Sequence, residues 1–513
     1  MFWVVAPGVL LSAWAFDLGT GSAMVPRWAV VQTVAALILA LTLWRGTVSR
    51  AALWCLPFLA WAGFAVLWSG DWRFGLLDWL HLLALAVVAF GVAVSDHPAR
   101  LHWAVIAALP GVLAALVVWP DIFGGHGNEN FAAEYLCMAA AFAAFPPKGP
   151  RWARHGARII ALCAAGYALG VSHSNAPVAV LGASLVAAAI YARQHWLAVA
   201  LALAALAAPV FHEEIRASVL ARAELFINSG IMWWSAPFQG HGTGGFNAAY
   251  PLYQEAHRAL LGDGTRVLEN FTLYAGNVHN EPLQVLSEQG LIGLMLAGLA
   301  LVPLFHGGRG ESLTAARACL FVAGVLSLIG FPLRNPSTGF LAAVAFGLAV
   351  APGAVTATKR VIALPVAAMA AGFMVVGVKH VRAEAHYALT ANYIESSPLL
   401  ALRANLAAHQ IFPLERRYRH QLLLTMTNLL ATRPSALTVE AADRAYEISM
   451  SAGPNPSVQL ARLMYMFNSG RWRTEDVSGL VRQLETQAAF QPVVVRALRE
   501  IKTKMAALRK DHP

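Results

Sequence analysis

The stretch Val278-His279-Asn280-Glu281-Pro282-Leu283-Gln284, continuing to Glu288-Gln289-Gly290 and Gly293, gathers the groups best suited to proton transfer. An imidazole titrates near working pH, so His279 can accept a proton from a hydroxyl. Asn280 and Gln284 can orient a partner through their amides. Read alone, His279 also fits a residue capping a helix start at an interface. Glu288 lies nine residues further on, about 13 Å along a continuous helix, and reads as a structural support.

Three further clusters carry polar groups next to apolar runs. Arg222 precedes Pro237-Phe238-Gln239-Gly240-His241-Gly242-Thr243-Gly244-Gly245-Phe246. A guanidinium donates two parallel charged hydrogen bonds and suits phosphate. The glycines permit a tight turn whose N–H groups can face an anion, or a plain surface turn. Gly124 to Phe131 includes His126, Glu129 and Asn130; Asn130 reads as a helix N-cap. His126 with Glu129 lacks the further ligands that a metal needs, so no metal site is expected. Arg334, in Phe331-Pro332-Leu333-Arg334-Asn335-Pro336, either snorkels to headgroups or holds a substrate phosphate. Arg258 and Arg266 have the same two readings, as solvated charge or phosphate ligand. Ser172-His173-Ser174 lacks the acid partner and elbow of a hydrolase nucleophile.

These groups need a scaffold, and composition says which. Of 513 residues, 58% are hydrophobic and only 12% charged, against about 25% charged in soluble domains. The main solvent of such a chain is lipid. The +10 net charge therefore reads first as topology, and no nucleic-acid partner is expected. The four cysteines all fall in apolar stretches, so no disulfide is expected. The apolar N-terminus lacks a basic leader region and reads as a first span rather than a cleaved signal.

Apolar runs predict spans near 2–16, 28–44, 51–68, 77–95, 101–122, 130–146, 157–172, 176–192, 196–211, 284–305, 316–332, 338–353 and 361–378. With the N-terminus inside, the inner loops hold Arg45, Arg50, Arg100, Lys148, Arg151, Arg154, Arg158, Arg193, Arg309, Arg317, Lys359 and Arg360. The short outer loops hold only Arg27, Arg73 and Arg334. That asymmetry sets the orientation. The expected fold is an all-α polytopic membrane bundle of about 12–13 helices, each span needing roughly 20 apolar residues. Its parts are an N-terminal bundle (1–211), a large periplasmic loop (212–281), further spans (282–378) and a periplasmic helical tail (379–513). Asp71 to His81 reads as an interfacial helix on the outer face. The tail's leucine spacing and its Pro and Gly-Pro breaks predict four to six short helices; tetratricopeptide-like pairs are one arrangement for them, although no 34-residue repeat is clear.

Together these clusters resemble the bacterial O-antigen ligase and polymerase family, which includes protein O-oligosaccharyltransferases. The family's His-Asn-x-x-Leu-Gln-x-x-x-Glu-x-Gly-x-x-Gly signature is matched by His279, Asn280, Leu283, Gln284, Glu288, Gly290 and Gly293. Its arginine before a Pro-x-x-Gly-x-Gly turn is matched by Arg222, Pro237, Gly240, Gly242 and Phe246, and its Gly/Asn turn by Gly127 to Phe131. The likeness covers roughly residues 25–350; Ser174-Asn175 stands where members often carry Ser-Arg, and His241 is unusual in the glycine turn. The resemblance implies a glycosyltransferase of the bacterial inner membrane that uses no metal or other cofactor. It would move a glycan from undecaprenyl diphosphate to an acceptor on the periplasmic face. His279 and Arg222 would be catalytic, with Arg334, Arg266, Arg258, Asn280, Gln284, His241 and Asn130 lining the substrates. The acceptor can be lipid A core, a growing polysaccharide or a protein. A polysaccharide or lipid transporter or flippase is the alternative, although no internal repeat is found and the ionisable residues gather at one edge rather than the midplane.

Overall fold

The computed structural model describes residues 2–14, 24–45, 47–118, 128–170, 176–191, 193, 213–253, 276–305, 311–350, 354–356, 359–432, 436–451, 456–468, 480–482, 484–485 and 498–503. They are almost wholly helical. Eight helices lead the chain: α1 (Phe2–Trp14), α2 (Met24–Arg45), α3 (Ala51–Phe64), α4 (Trp72–Ala93), α5 (Pro98–Val118), α6 (Glu129–Ala144), α7 (Arg151–Gly170) and α8 (Ala176–Tyr191). After a gap come α9 (Glu213–Ser235), α10 (Glu281–Ala300), α11 (Glu311–Ser327), α12 (Pro336–Ala349) and α13 (Lys359–Tyr393). The chain continues as α14 (Pro398–Ile411), α15 (Arg416–Thr432), α16 (Ala436–Met450) and α17 (Pro456–Asn468).

Among the described residues five helices are long and apolar enough to cross a membrane: Met24–Arg45, Trp72–Ala93, Pro98–Val118, Glu281–Leu304 and Ala363–Tyr393. Shorter apolar helices run over Phe2–Ser12, Leu53–Trp68, Ser312–Ser327 and Pro336–Ala349. These helices point to a membrane protein. The described helices fall where the thirteen expected spans lie, except near 196–211, which is outside the described residues, and among the described residues five of them have the length and composition of a full crossing. The core is built from small and branched apolar side chains shared by α1, α2, α4 to α8, α11 and α12. One face of α7 buries Ala157, Ala161, Ala164 and Ala168, a spacing that lets helices approach closely. Gly347 of α12 shows the same economy, since a Cβ there would lie 2.4 Å from the carbonyl oxygen of Ala89.

The two ends of the bundle are distinct. At one end Thr47–Ser49 pairs antiparallel with Ala354–Thr356, and Arg45 bonds Asp96 at 3.2 Å. All of these lie in loops read as inner. At the other end four helices begin on side-chain caps. Asp71 accepts from Phe74 N–H, Asn128 from Asn130 N–H, Asn280 from Leu283 N–H and Asn335 from Ser337 N–H. Each cap satisfies a donor that a helix start leaves without an internal partner.

One expectation is corrected. Asp71 to His81 is no separate interfacial helix: Asp71 caps α4, which runs on from Trp72 through His81 to Ala93 as a single helix. The helix α13 continues unbroken across residue 378, and its 35 residues span about 52 Å, well beyond the roughly 30 Å of a hydrocarbon core. Within the segment 212–281 lies the 23-residue helix α9. The tail helices pack in sequence, α14 on α15 and α15 on α16 and α17, around Leu422, Met426, Leu463 and Tyr465.

Candidate functional site

The site is organised by a break in α10. Gly290 has φ +67°, and the helix is not continuous there. A regular helix would bond Leu291 N–H to Ser287 C=O and Ile292 N–H to Glu288 C=O. Instead Leu291 and Ile292 donate to the carbonyls of Pro237 and Phe238, at 2.9 and 3.2 Å. The orphaned carbonyls of Ser287 and Glu288 accept from the N–H groups of His241 and Gly242, at 3.0 and 2.7 Å. Two intrahelical bonds become four bonds to the glycine turn. Only glycine fits at this contact: a Cβ on Gly240 would lie 2.4 Å from the Glu288 carbonyl carbon, and one on Gly290 2.1 Å from the Phe238 oxygen. Thr243 pins the turn further, its hydroxyl donating to Ala62 C=O at 2.6 Å and its N–H to Ala65 C=O at 3.3 Å. Trp61 closes the far side by donating to Gln289 C=O at 3.0 Å.

That geometry corrects one reading of the glycine turn. The N–H groups of Gly240, His241, Gly242 and Thr243 all donate to protein carbonyls, so they do not form an anion cradle. The turn is a wedge. His241 faces inward on it, with Nε2 2.9 Å from Met232 C=O and 3.1 Å from the Ser235 hydroxyl. The sequence spacing also misplaces a cap. Asn128 rather than Asn130 caps α6, accepting from the Asn130 N–H at 2.8 Å.

Next to the break, His279 is held in an unusual backbone conformation. Its φ is +57°, the left-handed region that side-chain-bearing residues seldom occupy. Both neighbours are fixed. Val278 N–H donates to Gln284 Oε1 at 2.7 Å, and Gln284 Nε2 donates to Glu288 Oε1 at 2.8 Å. Asn280 caps α10 and donates to Leu328 C=O at 3.0 Å. Such over-determined strain collects at functional positions. The imidazole sits edge-on to Phe331 at 4.9 Å, and Phe331 meets Phe131 of α6 at 5.5 Å. Burial, with the positive charge of Arg222 adding to it, pushes the His279 imidazole down to about 4. It is therefore a neutral base at ordinary pH, as a proton acceptor must be. His279 and Arg222 thus share one electrostatic environment. Glu134 of α6, itself buried, acts electrostatically on Arg222 and opposes the weakening that burial causes in that guanidinium.

Arg334 is engaged elsewhere. It donates to Asp78 in a short contact and to Glu288 Oε2 at 2.8 Å, and lies 3.7 Å from Glu281 Oε2. Burial would weaken its hold on its proton, but Asp78, Glu288 and Glu281 more than reverse this. Glu281 Oε1 accepts from Leu333 N–H at 3.1 Å, which ties down the whole 331–334 turn. The guanidinium that the sequence offered to a substrate phosphate is thus the hub of three carboxylates. Asp78 escaped the reading of the sequence, and Glu281 stands in the 278–284 stretch without a role assigned from it. A lone Asp78 in an apolar helix is the signal that could have found the first. Arg258 and Arg266 lie outside the described residues, as does His126.

The tail joins the same end. Arg419 grips Asp71 with two hydrogen bonds to its carboxylate, at 2.7 and 2.8 Å, and both side chains are buried. Arg417 reaches Glu384 at 3.2 Å and Glu415 at 3.3 Å, and Tyr418 donates to Glu384 at 2.5 Å. Leu77 packs among Ala383, Ala408, Phe412 and Tyr418. Leu77 on the tail side and Asp78 on the Arg334 side are adjacent in α4.

Among the described residues no group of three His, Cys, Asp or Glu side chains lies close enough to hold a metal ion. No family model, curated protein or solved structure matches the chain.

Proposed function

We propose that the protein is a membrane glycosyltransferase that moves a glycan from undecaprenyl diphosphate to a hydroxyl acceptor on the periplasmic face of the bacterial inner membrane. The observation that carries this reading is the pairing of a neutral, strained His279 with the cationic Arg222 at one end of an apolar bundle. The caps of four helices begin at that end, and helix starts favour negative charge. A lipid diphosphate is anionic, reaches the site from the bilayer and carries its own leaving group.

In this reading the acceptor oxygen attacks the anomeric carbon as the bond from that carbon to the diphosphate oxygen breaks. His279 takes the hydroxyl proton. Arg222 meets the charge that grows on the departing diphosphate, where stabilisation matters most. The products are the glycosylated acceptor, undecaprenyl diphosphate and a proton. Arg334, neutralised by its carboxylates, shapes the site instead of binding phosphate, and Arg258 or Arg266 supplies the second cation. The acceptor is lipid A core, a polysaccharide end or a protein. The tail, anchored on the periplasmic side within one turn of the site's support, favours a macromolecular acceptor.

A transporter or flippase is the second reading, favoured by the broken helix α10, since such breaks mark transport sites. In those sites the freed backbone groups meet the substrate. Here the four groups at the break bond the 237–242 wedge, leaving none for cargo. The test is the glycoconjugates of a strain lacking this gene, complemented with wild type or His279→Ala. Loss of long-chain lipopolysaccharide, exopolysaccharide or a glycosylated protein, restored by wild type alone, supports transfer. Unchanged glycoconjugates, or full rescue by His279→Ala, reject it.

A further inference from the structure

The side chain of Gln284 is only 2% exposed, and both ends of its amide are engaged. Oε1 accepts from Val278 N–H at 2.7 Å, and Nε2 donates to Glu288 Oε1 at 2.8 Å. These partners admit one orientation of the amide, since an N–H needs an oxygen and a carboxylate needs a donor. Glu288 is held in turn. Its other oxygen accepts from Arg334 at 2.8 Å, and Arg334 is pinned by Asp78 and Glu281. An unbroken line of hydrogen bonds thus runs from Asp78 of α4 through Arg334, Glu288 and Gln284 to the peptide N–H of Val278.

The line ends beside the most constrained residue of the site. The Val278 side chain is fully buried in a cluster with Leu225, Met232, Phe246 and Tyr250. Leu225 stands one turn beyond Arg222 on α9. On the other flank Asn280 caps α10. His279, between these two anchors, takes the left-handed φ of +57°. Such a conformation persists only where the neighbours are fixed, and Gln284 fixes the Val278 side of it.

We propose that Gln284 is a positioning residue of the transfer site: by holding the Val278 peptide it sets where the His279 imidazole points, and it lines neither substrate. The inference rests on the transfer reading and deepens it. The expectation from the sequence was that Gln284 lines the substrates, but its burial and its two bonds commit the amide to the scaffold. A turn of the 278–279 backbone would displace the imidazole, and a misplacement of about 1 Å costs about 10²-fold in rate.

Two sets of variants test the role. Gln284→Met keeps the length and removes both hydrogen bonds. It should lower kcat about 10²-fold, leave the Kd for undecaprenyl diphosphate in nanodiscs within twofold of wild type, and speed hydrogen exchange at the Val278 amide at least tenfold. Glu288→Gln leaves one amide oxygen facing two donors, Gln284 and Arg334, and should show the same pattern. Adding Gln284→Glu moves the carboxylate one step along the line and restores every match of donor to acceptor. The double variant Gln284→Glu/Glu288→Gln should therefore return kcat to within threefold of wild type, a rescue that a packing role would not give. A raised Kd with kcat unchanged would make Gln284 a substrate ligand and overturn the inference. So would a kcat within twofold of wild type in Gln284→Met, or a double variant no better than Glu288→Gln alone. If Gln284→Met does not fold, the double variant decides by the same criterion. Each of these results leaves the transfer reading standing. A wild-type protein that neither binds the lipid nor transfers glycan would remove the transfer reading and this inference together.

Discussion

The N–H of Gly242 occupies the carbonyl of Glu288, 2.7 Å away, that Ile292 would hold in an unbroken helix. Through this exchange the 237–242 turn and α10 are one unit, and His279 and Glu288 take their positions from it. Gly290→Ala and Gly240→Ala test the unit. Each needs a left-handed φ and has no room for a Cβ. The expected loss is about 2–4 kcal/mol, from backbone strain plus overpacking. Thermal melts in detergent should show a markedly lower Tm, and a Tm equal to wild type would mean that the wedge is dispensable.

His279→Ala should leave the melt near wild type and reduce transfer about 10²–10⁴-fold, the usual contribution of a general base. Normal transfer by a folded His279→Ala protein would end its assignment as the base.

The His279 imidazole is lowered from its usual value to about 4. The acid limb of kcat/KM, which reports the free enzyme, should therefore have its midpoint near about 4 instead of about 6.5. The sign for stability follows the same shift. The folded group resists protonation, so its contribution is intact above the unfolded value near 6.5 and is lost as pH falls toward about 4. Replacing the positive charge of Arg222 in Arg222→Gln should move the His279 titration, followed by NMR of the imidazole, to higher pH. A titration that stays in place would mean that Arg222 does not act on His279.

Arg334 offers a test of structure rather than chemistry. Arg334→Met leaves Asp78, Glu281 and Glu288 close together without their shared cation. The expected cost is about 3–5 kcal/mol, the range for removing one partner of a buried ion pair. Adding Glu288→Gln should recover part of it. If Arg334→Met melts like wild type yet loses donor binding, Arg334 is a phosphate ligand after all.

The tail is anchored by the buried Arg419–Asp71 pair. Arg419→Ala should release it by leaving Asp71 buried beside an empty position, again at a cost of about 3–5 kcal/mol. Limited proteolysis should then cut faster at the 394–397 junction between α13 and α14. Equal cutting rates would show that the apolar contacts around Leu77 and Phe412 hold the tail unaided.

Much of this architecture is legible in the residue order, and the reasons differ by element. Apolar runs mark nearly every helix because burial in lipid or in a helical core imposes the same demand. His279 and Arg222 stand out in the residue order as polar groups beside apolar runs, but the strained backbone of His279 and its packing on Phe331 appear only in the fold. The employment of Arg334 is not, because its partner Asp78 is 256 residues distant and only folding joins them. The wedge is hidden for the same reason: its glycines announce a turn, but the carbonyls they serve belong to Ser287 and Glu288. The continuity of α13 past residue 378 is also hidden, since the sequence turns more polar toward its C-terminal end while the backbone continues unbroken.

The most direct measurement is transfer by purified protein in liposomes that contain a lipid-linked glycan and a hydroxyl acceptor, with no ion or proton gradient. Wild-type protein should form glycosylated acceptor and release undecaprenyl diphosphate, while His279→Ala and Arg222→Ala should form neither above background. Gradient-dependent movement of the lipid without any glycosylated product, or equal product from all three proteins, would contradict the account.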